Sequence, residues 1–357
     1  MKVCFFVGSY TIKNEEGLWK KILEMQNVEV IECREKIHSV LSFFSANLKM
    51  FFRHIALNYD VMIIPAWGIF TFPLARILTR KPIIYWSNLS LYHSLVIDRE
   101  KDPNSIYAKL VHFAEKFVCK HSDMVITESA AQANYLQMEY KVDKKKFRNS
   151  INGVDETKFM KLPFKPSEKM FYVLFFGSFV PAHGTEFIIE AAKILQNNED
   201  IFFYMYGDGP MKKSTEKQAE RFQLKNVEFF GFFEYCDLIS IIRKCDVILG
   251  LFGKSEKAAN VIPSKVLQSL ALQKPLITME SKAIREIQLE DENNCLLVPS
   301  GDPEMIANAI LALKNDPTKR KRITENGYQL YKENLSMEKT GKKLLRFIEE
   351  AKVMKIK

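Results

Sequence analysis

Short, largely apolar runs recur along this chain, and each pair is separated by enough residues for a helix. They fall at residues 3–7, 28–31, 61–64, 83–86 and 124–127, and the rhythm then restarts at 172–176, 201–206, 227–230, 247–251, 276–279 and 296–298. Strands that are apolar throughout need cover on both faces, so the pattern predicts parallel βα units rather than an alternating, half-solvated sheet. Two sets of runs in 357 residues predict two doubly wound domains. Between them residues 161–169, with Pro163 and Pro166, have the composition of a linker. The expected division is therefore 1–165, 166–335 and a C-terminal helix in 336–357. That helix has Ser336 as its N-cap and Leu344, Leu345 and Ile348 as its apolar spacing, and is expected to pack back on the first domain. Such sheets take ligands beyond the carboxyl ends of their strands, so two facing domains are expected to enclose a cleft.

Charge narrows the range of partners. The chain carries 52 Lys and Arg against 43 Asp and Glu, a net +9 that favours anionic partners. The excess sits in the first domain, with 24 basic and 17 acidic residues up to residue 165 against 28 and 26 after it. Residues 36–59 contain no acid and carry Lys36, Lys49 and Arg53. Within that segment Leu41, Phe44, Leu48, Phe51 and Ile55 share one helical face, with Phe43, Met50 and Phe52 widening it and Ser42, Ser45, Lys49 and Arg53 opposite. Two readings follow: a helix lying in the interface of an anionic membrane through residues 36–57, or a domain helix packed on its sheet. Nucleic acid is not expected, because the cations accompany no recognition motif.

Other classes are excluded more simply. A chain 47% hydrophobic and 27% charged is not disordered or low in complexity. The longest apolar stretch, 61–75, is broken by Pro65, Gly68 and Pro73 and falls short of the ~20 residues a spanning helix needs. Met1-Lys2 leads into an apolar run ending at Gly8, which is short for a signal peptide. The six cysteines, Cys4, Cys33, Cys119, Cys236, Cys245 and Cys295, form no CxxC pair and no zinc-ligand spacing, so a reducing cytoplasm is expected and no metal site.

Glycines mark the places where chemistry could sit. Gly177 ends the run at 172–176, the loop 178–183 follows, and Gly184 opens a helix containing Phe187, Ile188, Ala191 and Ala192. Strand, glycine loop and helix N-terminus make an anion site, although glycine in such a turn can also be purely steric. After the next run comes Tyr206-Gly-Asp-Gly-Pro210, which lacks the third glycine of a dinucleotide fingerprint because Met211-Lys212 follows, and which could be a tight turn. The third element begins Pro263-Ser-Lys265. Leu267, Leu270 and Ala271 define its buried face, with Lys265 and Gln268 together on another. A lysine in the first turn opposes the helix dipole unless an anion lies between them.

These strings, in order, are Asn152-Gly-Val-Asp155 with Phe159, the 176–184 loop, Gly207-Asp-Gly-Pro210, Asn226-Val-Glu-Phe-Phe-Gly231, Pro263-Ser-Lys265 running into Lys274-Pro275, and Gly301-Asp-Pro303. The series resembles the retaining group 1 glycosyltransferases, over nearly the whole chain. The resemblance implies the GT-B fold: an α/β chain of two Rossmann-like doubly wound parallel-sheet domains. It also implies a nucleotide-sugar donor held by the second domain, an acceptor held by the first, retention of anomeric configuration, and no cofactor or metal. By position, Lys265 and the 178–184 loop with Gly177 would hold the donor diphosphate. Gly8, Gly207, Asp208 and Gly209 would join the donor set, and residues 206–210 with 233–237 would enclose the nucleoside. The segment 83–99 resembles an acceptor-side loop, with His93 where an acid is usual. Asp98 would position or deprotonate the acceptor hydroxyl, Arg99 and Glu128 would lie on the acceptor side, and His183 and Lys265 would complete the catalytic set.

The chain departs from the family pattern at two glutamates, which are Asn260 and Gln268 here, and at an Arg and a Lys, which are Ser178 and His183. An amide keeps the acceptor oxygen and loses the charge, ~1 kcal/mol per bond, so donor binding about fivefold weaker is expected. Glu256 and Lys257 are candidates to supply what is missing. The function expected is that of a retaining hexosyltransferase moving sugar onto a polysaccharide or lipid-linked glycan at the cytoplasmic face of the membrane. A catalytically silent nucleotide-sugar-binding subunit and a nucleotide-sugar epimerase or hydrolase are the alternatives.

Overall fold

The structure, a computed structural model, describes residues 1–9, 14–37, 39–163, 169–232 and 237–354. It divides into two compact units, residues 1–153 with 337–357, and residues 154–336. The division falls before the proline-bearing segment expected to be the linker, of which 164–168 lie outside the described residues. The reason is visible at Phe159 and Leu162, both buried, with the Leu162 N–H donating to the Leu272 carbonyl at 3.0 Å. These residues are part of the second unit's core, not of a spacer.

The first unit runs β1 (Lys2–Ser9), α1 (Asn14–Glu24), β2 (Glu29–Lys36), α2 (Val40–Ile55), β3 (Val61–Pro65), α3 (Phe72–Leu78), β4 (Ile83–Ser87), α4 (Ile106–His121), β5 (Met124–Thr127), α5 (Ala130–Tyr140) and β6 (Phe147–Asn149). Its sheet is parallel throughout, in the order β2-β1-β3-β4-β5-β6. β3, β4 and β5 are buried along their whole length, which is why they read as unbroken apolar runs. β2 and β6 lie at the edges. β2 extends into the charged stretch Cys33-Arg-Glu-Lys36, and β6 is only Phe-Arg-Asn, so no run announces it.

One face of the sheet packs Cys4, Phe6, Met62 and Ile64 against Met50, Phe72, Val118 and Leu136 of α2 to α5. The other packs Val3 and Phe5 against Trp19 and Ile22 of α1 and against Leu344, Phe347 and Ile348 of the C-terminal helix (Met337–Met354). Trp19 and Trp86 stack there at 3.6 Å. Ion pairs Arg148–Glu350 and Lys352–Asp60 fasten that helix to the same unit.

α2 buries the less apolar of its two stripes. Ser39 and Ser42 form its capping box, and Ala46 and Met50 face the sheet. The more apolar stripe points outward, with Leu41 83%, Phe44 66%, Phe52 63% and Ile55 65% exposed. Met50 thus belongs to the packed side and does not widen the apolar stripe. The helix is at once a packed domain helix and the carrier of an uncovered apolar face. α4 repeats the arrangement on the same face of the sheet, leaving Ile106, Leu110 and Phe113 exposed. Among the described residues no helix is long and apolar enough to cross a membrane.

The second unit runs β7 (Phe171–Phe176), α6 (Thr185–Ile194), β8 (Ile201–Tyr206), α7 (Lys212–Arg221), β9 (Val227–Phe230), α8 (Leu238–Arg243), β10 (Val247–Leu249), α9 (Glu256–Asn260), α10 (Ser264–Ala271), β11 (Leu276–Met279), α11 (Lys282–Glu286), β12 (Leu296–Val298), α12 (Pro303–Asn315) and α13 (Pro317–Leu330). Its parallel sheet has the order β12-β11-β10-β7-β8-β9. The Gly301-Asp302-Pro303 string proves to be a helix start, with Asp302 accepting from the Met305 N–H and Pro303 in the first turn.

Candidate functional site

Strand order in the second unit reverses between neighbouring β7 and β10, and in an open parallel sheet a crevice forms beyond the carboxyl ends of such a pair. The loops leaving β7, β8 and β10 meet there, backbone to backbone. A methyl group on Gly184, at φ +62°, would lie 2.5 Å from the Gly253 nitrogen, and one on Gly207 would lie 1.9 Å from the Gly177 carbonyl. Hydrogen bonds from Gly177 N–H to Tyr206 O, Phe179 N–H to Asp208 O and Phe252 N–H to His183 O tie the same loops together. Gly207 and Gly209 therefore permit loop-to-loop contact, at a string that by itself could have been a tight turn. The Asp208 carboxylate accepts from the Gly209 N–H of its own turn at 2.8 Å.

Lys265 reaches this place from the first turn of α10. The helix is buried on all sides, so Lys265 and Gln268 do not occupy an open face as their spacing suggested. Lys265 is 5% exposed, and its Nζ finds no hydrogen-bond acceptor among the described residues. Its near neighbours are the Phe175 ring, 4.1 Å from Nζ, and the Phe176 ring. Burial pushes its pKa down to about 7. An unpaired buried ammonium is costly unless an anion comes to it, so the geometry calls for one.

His183 borders the same space. Its Nδ1–H donates to the Ser178 carbonyl, which leaves Nε2 as the unprotonated nitrogen of the neutral ring. Burial, the Lys265 ammonium and Lys257 hold its pKa well below the usual value, against the opposing pull of the Ser178 carbonyl. Neutral His183 therefore offers a lone pair at Nε2, and a proton appears there only with the cation.

The remaining donor-side candidates are distributed around this core. α9 packs on the 181–183 turn, with Glu256 exposed and Lys257 and Asn260 half-buried, while Gln268 is buried. Of the segment 233–237 expected to enclose a nucleoside, 233–236 lie outside the described residues, and Asp237 precedes α8. Tyr206 and Phe230 stack at 4.1 Å, nearly parallel, at the ends of β8 and β9. Sequence reading missed Phe175, which underlies Lys265, and Gly253; the string Gly250-Leu-Phe-Gly253 after an apolar run was the available signal for the second. Among the described residues no three His, Cys, Asp or Glu side chains gather as a metal site.

In the first unit, the ends of β4, β5 and β6 bring together a buried polar group. Asn152 donates to Glu128, the Glu128 N–H donates to Gln132 Oε1, and Gln132 donates to the Ser87 carbonyl. His93 opens a π-helical turn, His93–Ile97, and its ring lies 4.5 Å from that of Tyr135. Asp98 is buried and Arg99 exposed. Gly8 ends up in this unit, where a methyl group would meet Thr71 at 2.7 Å and Ile37 at 2.9 Å, so packing accounts for it. The catalytic set is thus divided, Asp98 in one unit and His183 with Lys265 in the other.

The loops, the orphan lysine and the switch point fall within residues 156–330, and that stretch matches the family model described as Glycosyl transferases group 1. This half of the chain belongs to the group 1 glycosyltransferases. Over 159 residues it is 30% identical to the uncharacterized glycosyltransferase MJ1178 of Methanocaldococcus jannaschii, covering 44% of this chain and 42% of that one. Over 174 residues it is 27% identical to the alpha-D-kanosaminyltransferase of Streptomyces kanamyceticus, covering 48% and 44%. The matches span less than half the length of these curated relatives. Both units together have the GT-B fold. The structure of Anabaena Alr3699/HepE in complex with UDP-glucose aligns with a TM-score of 0.74 at 16% identity over 98% of this chain and 100% of that one. Sucrose-phosphate synthase from Thermosynechococcus elongatus aligns with a TM-score of 0.76 at 15% identity over 98% of each.

Proposed function

We propose that the protein is a glycosyltransferase that moves a hexosyl group with retention from a nucleoside-diphosphate sugar to a polysaccharide or lipid-linked glycan. The observation that carries the reading is the buried, unpartnered Lys265 ammonium beside His183 at the switch point of a group 1 domain. Cleaving the donor's glycosidic bond leaves growing charge on the diphosphate. A fixed cation and the positive end of the α6 dipole would stabilise that charge without reorganising. The reading asks for no resident metal or cofactor, and the HepE complexes with UDP and UDP-glucose support a uridine nucleotide as the first donor to try. Glu256 and Lys257 are proposed to assist donor binding in place of the missing glutamates; Glu256→Ala and Lys257→Ala that leave donor turnover untouched would remove them from the site.

The acceptor is assigned to the first unit, through residues 83–99 and Glu128, with Asp98 as the group that orients the acceptor hydroxyl. The exposed apolar stripe of α2, with Lys49 on its flank and no acid along the helix, favours work at the cytoplasmic surface of an anionic membrane. The deciding experiment incubates the protein with UDP-, GDP-, ADP- and dTDP-sugars, with and without bacterial membrane lipid extract, and follows nucleotide release. Acceptor-dependent release that disappears in Lys265→Ala is the expected outcome. A silent nucleotide-sugar-binding subunit is the second reading, favoured by the amides Asn260 and Gln268. It predicts thermal stabilisation by one donor with no release, whereas acceptor-independent conversion of the donor would indicate an epimerase or hydrolase.

A further inference from the structure

Glu115 lies in the middle of α4 and is completely buried. A carboxylate in that position carries a desolvation cost that hydrogen bonds must offset, and four donors reach it. The Leu91 N–H donates to Oε1 at 2.8 Å; the Ser90 hydroxyl at 3.0 Å, the Tyr92 N–H at 3.2 Å and the Tyr140 phenol at 2.8 Å all donate to Oε2. Three of the four come from the consecutive residues 90–92, the start of the helical turn that widens into the π-helical segment His93–Ile97. Helix starts leave their first N–H groups without intrahelical partners. A carboxylate brought in from another helix satisfies them as an N-cap would, and with the favourable sign for the helix dipole.

The constraint is passed along the turn. The Ser90 hydroxyl that donates to Glu115 also accepts from the His93 N–H at 3.3 Å, and the His93 carbonyl accepts from the Asp98 N–H at 2.8 Å. Burial raises the Tyr140 phenol far above its ordinary pKa, so it remains a donor at any working pH. Packing alone does not call for a carboxylate here. Ala108, Val111 and Val118 fill the same buried side of α4, and an apolar residue in place of a buried charge is often the more stable choice. What Glu115 adds is a specified position for the backbone of residues 90–92, and π-helical segments of this kind are frequent where a side chain must be aimed.

We propose that Glu115 is the positioning residue of the 90–98 turn, holding His93 and Asp98 in the arrangement in which they meet the acceptor. The proposal rests on the reading that residues 83–99 hold the acceptor, and its test separates the two. Glu115→Gln keeps the size but turns an acceptor oxygen into an NH₂ group facing donors. Amide hydrogen exchange over residues 91–98 is expected to speed up about tenfold or more while β1 and β3 stay within about twofold. Glu115→Asp is expected to recover part of the protection. Unchanged exchange in Glu115→Gln, or uniform acceleration through the first unit, overturns the proposal.

Should Glu115→Gln fail to fold, Ser90→Ala must speed exchange over 93–98, and its failure to do so is equally decisive. A turnover arm follows UDP release from UDP-glucose with bacterial membrane lipid extract. Acceptor-dependent kcat/KM is expected to fall about tenfold in Glu115→Gln, with acceptor-independent release within about twofold. Faster exchange at 91–98 with acceptor kinetics intact would leave Glu115 as the positioning residue of the turn and remove the acceptor from it.

Discussion

Lys265 and His183 border one small volume. A methyl group built on Gly177 would lie 3.2 Å from Lys265 Nζ and 3.2 Å from His183 Cε1, although the two side chains come from different loops and helices. The ammonium depresses the imidazole pKa further, and neither side chain neutralises the other. Lys265 carries a desolvation cost that an entering anion would relieve.

Removing the lysine should therefore separate function from stability. Lys265→Met is expected to abolish the stabilisation of the protein by UDP and to lower turnover ~10²- to 10³-fold. The melting temperature without ligand should rise by about 2–4 °C per kcal/mol of desolvation relieved. Calorimetric scans with and without UDP check this, and a lower melting temperature in the ligand-free variant would contradict it.

The same lysine sets a pH dependence with a definite sign. Its folded pKa is about 7 against the 10.5 of an ordinary lysine, so between these values the unfolded chain binds the extra proton and stability rises with pH. UDP binding has the opposite trend, because the anion prefers the charged ammonium. Above pH 7 binding must take up a proton, and affinity is expected to weaken toward tenfold per pH unit. Titration calorimetry in buffers of different ionisation enthalpy should detect the uptake in the native protein above pH 7 and little of it at pH 6, where the lysine is already mostly charged.

Gly207 and Gly17 make a matched pair. Gly207→Ala places a methyl group 1.9 Å from the Gly177 carbonyl at φ +134°, so the second unit should lose about 3 kcal/mol or more. Gly17, inside α1, has no atom within 4 Å of an added methyl, so Gly17→Ala should gain ~0.5–1 kcal/mol. Denaturant midpoints of the two variants test both signs.

The exposed stripe of α2 is predicted to be dispensable for folding. Leu48→Glu with Phe52→Glu should change stability by less than about 1 kcal/mol, since both side chains are largely exposed. Sedimentation with anionic vesicles at low salt should be lost. Retained sedimentation in this variant, or unchanged binding after charge reversal at Lys49 and Arg53, would remove α2 from the membrane reading.

Much of the fold was legible because its signal is local. β3, β4 and β5 are apolar throughout since each is covered on both faces, and the 176–184 loop announces itself by a strand end followed by Gly177 and Gly184. β6 escaped because an edge strand of Phe-Arg-Asn needs no apolar run. Which side of α2 is buried was not legible, because Ala46 and Met50 are less apolar than the stripe left outside.

The order of apolar runs and glycine loops is enough, by itself, to predict two parallel α/β units and to propose an anion site near Gly177, Gly184 and Lys265. Whether that lysine is paired, and which nitrogen of His183 carries the proton, was settled only by tertiary structure. Desolvation and tautomer depend on atoms brought from distant positions: the Phe175 ring lies 90 residues from Lys265, and the Ser178 carbonyl closes back on His183. The same holds for Glu115, an ordinary helical glutamate in the sequence until Ser90, Leu91, Tyr92 and Tyr140 converge on its carboxylate.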